Sequence, residues 1–313
     1  MSLKEETISL DKAGDLLADI LQAKDVPFEI GTFDDFVQNI FSLSYPNYNF
    51  NTWHIRLLSY KVDELLTMDK DDKFLLVVLP RYHLKSTLLG YASSIYRMLT
   101  GFGDGIYISY KDELCLYHLS NIKTSINNNS MLSKVFVDLH PQSESGIGYK
   151  IGNRKLRMFS AGVFSVKRGI HCDSVVICDD LEGDLQNPMT FTELEKTKRI
   201  FNAEIMNIPN KGCPLLIFGT VIDYSDLLFN LKDNLKFESI WMSAVNPDPN
   251  HDVLWGDMYP KSWLEERKKA TGWKAFSTEF LLTPALATEA FISREELDKV
   301  IDSSLKNYQV PGW

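Results

Sequence analysis

With 313 residues, of which 44% are hydrophobic, 12% aromatic and 24% charged, the chain has the apolar content to fill a large core. Its 17 Gly, 12 Pro and 4 Cys exclude collagen-like, low-complexity and disulfide-scaffold classes, and a net charge of -9 argues against a protein that coats nucleic acid indiscriminately. No run approaches the ~20 apolar residues of a membrane span, and the opening MSLKEETISL carries adjacent glutamates and no apolar segment of a signal peptide.

The expectation is therefore a soluble intracellular protein whose Cys115, Cys172, Cys178 and Cys213 are reduced thiols, since no CxxC pair is present. At roughly 150 residues per domain, it is one large α/β domain with appendages, or two small ones.

Residues 1–70 hold twelve Asp/Glu against six Lys/Arg, so much of the acidity sits in an N-terminal arm. Within it, Leu10 to Ala23 and Phe33 to Leu43 have helical apolar spacing. Trp53, Leu57, Leu58, Val62, Leu65 and Leu66 predict a third helix. The pattern then changes. Phe74 to Leu79 is a continuous apolar run, the mark of a strand buried on both faces, and it passes through Pro80 to Thr87 into a helical stretch, Leu88 to Leu99.

Ile106 to Tyr110 reads as a strand, Leu114 to Ile126 as a helix, and Leu156 to Phe159 and Ser174 to Cys178 as further strands. Phe191 to Met206 predicts a helix and Cys213 to Phe218 a strand. This alternation predicts an α/β fold with a doubly wound, mainly parallel sheet. Asn246 to Asn250 is a turn-rich break, followed by helical stretches with no further strong strand. The division expected is a helical arm over 1–48, a core over 49–245 and a helical lid or linker over 246–313. Val310-Pro311-Gly312-Trp313 reads as an opened linker of a longer protein.

Between the first strand and its helix lies Leu79-Pro80-Arg81-Tyr82-His83-Leu84-Lys85-Ser86-Thr87, the context of a phosphate-binding loop. Backbone amides there can hold an anion, Lys85 can reach the β- and γ-phosphates of a nucleotide, and the Ser86 hydroxyl can ligate Mg²⁺. Leu79 and Leu84 stand where such a loop usually has glycine. Taken alone, the segment also fits an ordinary strand–loop–helix turn with an exposed lysine.

Ser174 to Glu182 is a second buried strand ending in acids. There Asp179 suits the metal, and Asp180 suits the base that orients and deprotonates water, with Glu182 the longer substitute. Paired acids can also simply cap the next helix. The two motifs are expected on adjacent strand ends. Leu215 to Phe218 leads into Gly219-Thr220, where a hydroxyl can stand near the γ-phosphate.

In this order the segments resemble the ATPase part of tailed-phage large terminases, the motors that package DNA. Thr52-Trp53-His54 resembles the stretch that contacts the base. Pro80 to Thr87 resembles the family's deviant Walker A loop. Lys167-Arg168-Gly169 before Val175 to Glu182 resembles the Arg-Gly stretch that leads to the Walker B acids.

Phe218-Gly219-Thr220 with Tyr224 to Leu228 resembles the coupling motif. Leu254-Trp255, Trp263 to Glu266, Phe276, Glu279 to Leu281 and Pro284 resemble the region before the nuclease. The resemblance implies a P-loop NTPase of the ASCE type that binds ATP and Mg²⁺. It gives nucleotide contacts to Arg81, Tyr82, His83, Leu84, Lys85, Ser86, Thr87, His54 and Thr220, and catalytic roles to Lys85, Asp179, Asp180 or Glu182, and Arg168.

Arg168 would serve a neighbouring subunit as an arginine finger, with Arg81 the alternative in its own subunit. The resemblance also implies double-stranded DNA, a portal protein and a small terminase subunit as partners, a ring of copies, the host cytoplasm as location, and a nuclease domain beyond residue 313. The acid-free basic run Lys150, Arg154, Lys155, Arg157, Lys167 and Arg168 would face DNA or a neighbour. Rival readings are a helicase-like motor, a P-loop module that docks without hydrolysis, and a metal nuclease built on Asp179, Asp180 and Glu182.

Overall fold

A computed structural model describes residues 26–68, 71–101, 103–139, 146–183 and 189–284. The helix expected over Leu10 to Ala23 and the closing Val310 to Trp313 lie outside them.

Strand β1 (Lys73–Val78) shows why the apolar runs are continuous. Phe74, Leu76 and Val78 enter one core, whereas Leu75, Val77 and the following Leu79 enter another on the opposite face of the sheet. A strand covered on both sides has no polar face to alternate.

The first helices among the described residues are α1 (Phe33–Asn39), started by a capping box between Thr32 and Asp35, and α2 (Trp53–Thr67). Phe33, Phe36, Phe41 and Phe50 are buried in the same core as Leu75, and Phe33 meets Tyr96 edge-on at 5.3 Å. After β1, a π-helical segment (Ser86–Ala92) runs into α3 (Ser93–Thr100).

There follow β2 (Gly105–Ser109), α4 (Asp112–Asn127), β3 (Val137–Asp138), β4 (Gly146–Ile151), β5 (Arg154–Gly162) and β6 (Val176–Asp179). The rest is α5 (Phe191–Ala203), β7 (Pro214–Gly219), α6 (Leu227–Leu231), β8 (Phe237–Trp241), β9 (Val245–Asp248), β10 (His251–Val253) and α7 (Lys261–Glu279). Helices α1 to α4 cover one face, and α5 and α6 the other.

The eight-stranded sheet has the order β3-β4-β5-β2-β6-β7-β1-β8. All pairs from β5 to β8 are parallel, and β3–β4 and β4–β5 are antiparallel. The doubly wound, mainly parallel α/β architecture is thus present. One relation differs from expectation: β1 and β6 are not neighbours, because β7 runs between them.

Several strands carry no clear sequence signal. β4 reads Gly-Ile-Gly-Tyr-Lys-Ile, where two glycines break the apolar run. β8 is an edge strand with Glu238 and Ser239 at its centre. The region expected to lack strands after residue 245 contains the β9–β10 hairpin, short, polar and interrupted by Pro247. Among the described residues, no helix is long and apolar enough to cross a membrane.

Candidate active site

A parallel sheet delivers the C-terminal ends of its strands to one edge, and there the loops after β1, β6 and β7 meet. They line a cavity of about 800 Å³, its open mouth included, together with Ser109, Tyr110, Leu114 and His118 from the β2 side and Thr278 and Glu279 from α7.

The loop after β1 reaches the left-handed region twice without glycine, at Tyr82 (φ 69°) and Leu84 (φ 57°). L-residues adopt this conformation only where surrounding contacts hold them there. Those contacts are visible. The Tyr82 ring lies 6.2 Å from Phe280 and 6.3 Å from Tyr259 and Trp263, and its hydroxyl accepts from Arg267 at 3.2 Å. Leu84 packs against the main core. His83 is buried, its Nδ1 2.8 Å from the Arg81 carbonyl, and burial lowers its pKa to about 4. Ser86 and Thr87 open the π-helical segment.

Lys85 is buried, with its Nζ donating to Thr220 Oγ1 at 2.8 Å and to the Pro80 carbonyl at 3.3 Å. Burial lowers its pKa, and the carboxylates of Asp180 and Asp179 oppose that shift. Thr220 ties the loops together: its hydroxyl donates to the Leu79 carbonyl at 3.1 Å, and its N–H donates to Asp180 Oδ1 at 3.1 Å. The inserted β7 therefore supplies the group that bridges Lys85 and Asp180. Gly219 is needed at this approach, because a Cβ there would lie 2.7 Å from Asp180 Oδ1.

Asp179 is fully buried, and its Oδ2 accepts from the Tyr107 hydroxyl at 2.5 Å. Burial, then the Asp180 carboxylate, raises its pKa; Tyr107, Ser86 and Lys85 act in the other direction. Its Oδ1 is buried without a hydrogen-bond partner. An orphaned carboxylate oxygen beside a hydroxyl suits a hard cation such as Mg²⁺, which takes few protein oxygens and completes its shell with phosphates and water. Asp180, in the left-handed region at φ 43°, faces the cavity.

Glu182 also lines the cavity, but both its oxygens accept the Leu227 N–H, at 2.9 and 3.0 Å, at the start of α6. Burial, then the Asp226 carboxylate, raises its pKa to about 8.

Other expected residues stand apart. His54 is fully buried, with Nδ1 3.2 Å from Thr52 Oγ1 and its ring 5.4 Å from Trp255, and it does not line the cavity. Burial lowers its pKa to about 3. Arg81 does line the cavity but is paired with Glu279 at 2.5 Å. Arg168 is 85% exposed and donates to Glu204 at 2.7 Å, away from the cavity of its own subunit.

The basic run divides as well. Arg154 donates to the Leu99 and Gly101 carbonyls at the end of α3, and Arg157 pairs with Asp104. Tyr107 and His118 belong to the site but were not singled out from the sequence. A tyrosine inside an apolar strand and a histidine on an amphipathic helix are both common in cores and carry no signal of their own.

No protein-family profile and no curated protein matches the chain. Solved structures do. The large terminase of bacteriophage HK97 matches with a TM-score of 0.52 at 12% identity, over 81% of this chain and 55% of that one. The large terminase ATPase domain of Thermus phage P74-26 matches with a TM-score of 0.45 at 11% identity, over 70% of this chain and 90% of that one. A large terminase from a thermophilic bacteriophage, in complex with ATP-gamma-S, matches with a TM-score of 0.45 at 10% identity, over 71% of this chain and 51% of that one. The chain spans about half the length of the full-length terminases it matches. Over most of its length it has the fold of the HK97 bacteriophage large terminase.

Proposed function

We propose that this chain is the ATPase motor domain of a viral DNA-packaging terminase, which binds ATP with Mg²⁺ and couples its hydrolysis to movement of double-stranded DNA. The observation that carries this reading is the convergence of Lys85, Thr220 and Asp180 on one cavity, with the buried Asp179 next to Asp180 in the chain. The fold shared with the HK97 large terminase supports it.

In this reading Lys85 leaves Thr220 to bind the β- and γ-phosphates, and the N-terminus of the π-helical segment holds them with backbone amides. Asp179 and Ser86 would hold Mg²⁺, which would neutralise phosphate charge when bound. Asp180 orients the attacking water and takes its proton, and the Thr220 N–H fixes the carboxylate in place. Glu182 holds the start of α6 and is the weaker candidate for the base. When the Lys85–Thr220 contact breaks, Thr220 passes the change to β7. Arg168, exposed and remote from its own cavity, suits action on a neighbouring copy in a ring. The portal, the small terminase subunit and the host cytoplasm complete the proposal.

Calorimetric titration of ATP with Mg²⁺ into the chain and its Lys85→Ala variant tests the reading. The expected result is saturable binding that the variant loses. Absence of binding to the unaltered chain would leave a docking module in its place.

A further inference from the structure

Asp179 is also held by groups that no phosphate-loop motif contains. Tyr107 Oη donates to Asp179 Oδ2 at 2.5 Å. The His118 ring stacks on Tyr107, with centroids 5.0 Å apart and planes at 23°, and its Nε2 lies 3.6 Å from the same Oδ2. His118 Nδ1 is 2.9 Å from Tyr91 Oη, which accepts from Asn121 Nδ2 at 3.1 Å. With Asn121 donating to Tyr91, the Tyr91 proton points to Nδ1 of the ring. In that arrangement the His118 proton sits on Nε2, on the carboxylate side, and the ring acts on Asp179 through its stacking on Tyr107.

The elements are placed for this arrangement. Ser109 at the end of β2 is in register with Asp179 of β6, which puts Tyr107 beneath the carboxylate. His118 and Asn121 sit one turn apart on α4, and Tyr91 lies on the π-helical segment that begins at Ser86. Gly90 leaves the room required: a Cβ there would lie 2.5 Å from Tyr107 Oη. π-Helical turns recur at functional sites, and here the turn brings Tyr91 to His118.

We propose that Tyr107, held in place by the stacked His118 ring and backed by Tyr91 and Asn121, is a positioning residue that fixes Asp179 Oδ2 and so presents Oδ1 to the divalent cation. The proposal rests on the reading of Asp179 as the metal-side carboxylate. Both oxygens of a free carboxylate compete for a cation. With one oxygen occupied by a fixed hydroxyl, the other is aimed before the metal arrives.

The test uses Mn²⁺ as the probe, followed by electron paramagnetic resonance with ADP present. Nucleotide affinity without metal and thermal unfolding are measured in parallel. Tyr107→Phe and His118→Leu should each weaken Mn²⁺ binding about ten- to a hundredfold. Metal-free ADP affinity should stay within about twofold, and His118→Phe, which keeps a ring stacked on Tyr107, should recover most of the loss. Should Tyr107→Phe fail to fold, the two His118 variants decide.

Unchanged Mn²⁺ affinity in both single variants, against its loss in Asp179→Asn, overturns the proposal and leaves the function standing. A parallel fall in metal-free affinity overturns it too, because a merely structural role moves both. If the unaltered chain binds no nucleotide, the functional reading itself fails and takes this inference with it.

Discussion

Arg81 and Glu279, 198 positions apart, are joined twice: the Arg81 N–H donates to the Glu279 carbonyl at 3.0 Å, and the guanidinium donates to the Glu279 carboxylate at 2.5 Å. The last residue of α7 is thus fastened to the loop after β1, and both side chains line the cavity. Arg81 is 47% exposed, so the ion pair adds at most about 1 kcal/mol to stability. In the proposed function its effect on anion binding would be larger, since Glu279 would compete with phosphate for the guanidinium. Glu279→Gln should therefore tighten ATP binding about two- to fivefold with little change in unfolding temperature. Weaker binding would show that Glu279 holds Arg81 in its working position.

Leu84 carries the backbone strain of the loop. A left-handed L-residue costs roughly 1–2 kcal/mol, which glycine avoids, but Leu84→Gly also removes a side chain packed on the core. The two changes should nearly cancel in stability, and ATP affinity should persist. Leu84→Ile places a β-branched residue in a region it rarely adopts. It should lose about 1–2 kcal/mol and at least about tenfold in ATP affinity. Calorimetry on both variants checks this, and equal affinities would separate the loop conformation from binding.

Gly90→Ala sets two effects against each other. Alanine favours the helix by about 1 kcal/mol, but its Cβ would lie 2.5 Å from Tyr107 Oη and 3.2 Å from the ring. Overpacking of this kind costs about 1–3 kcal/mol, so the variant should unfold a few degrees lower. The double variant Gly90→Ala/Tyr107→Phe removes the obstructing hydroxyl and should regain part of the loss. Strictly additive effects would place the clash elsewhere.

The charge state of Glu182 makes stability depend on pH. Its pKa rises from 4.5 to about 8 on folding, through burial and then the Asp226 carboxylate. Between those values the unfolded chain releases a proton that the folded chain keeps, so this group's contribution to stability falls as pH rises through the window. Glu182→Gln removes the effect. Its unfolding temperature should match that of the unaltered chain near pH 5 and exceed it near pH 8. Parallel curves from pH 5 to 8 would mean that Glu182 is not held protonated.

What the sequence disclosed follows how local each relation is. The loop around Lys85 was legible because strand, loop and helix are consecutive, and Asp179 because four apolar residues, Val175 to Cys178, precede it without a break. Tyr107 was not legible, for its role exists only once β2 pairs with β6, across 72 residues of chain. The position of β7 between β1 and β6 is a sheet-order fact of the same kind. His54 lies beside the loop as a buried ring rather than in the cavity, a difference that burial alone decides. The β9–β10 hairpin escaped because a two-stranded ribbon with Pro247 and Asn246 carries turn-forming residues inside its strands.

If the loop after β1 binds nucleotide as proposed, the contacts that fix it shape the kinetics of capture. A glycine-rich loop is mobile when empty and loses that freedom as its ligand binds. Here Tyr82 is wedged among Tyr259, Trp263 and Phe280 and is bonded to Arg267. The conformational entropy is surrendered when the chain folds, before any anion arrives. Nucleotide entry should then follow a single diffusional step, with no slow ordering phase in stopped-flow traces, and differences in affinity among nucleotides should lie in their rates of departure.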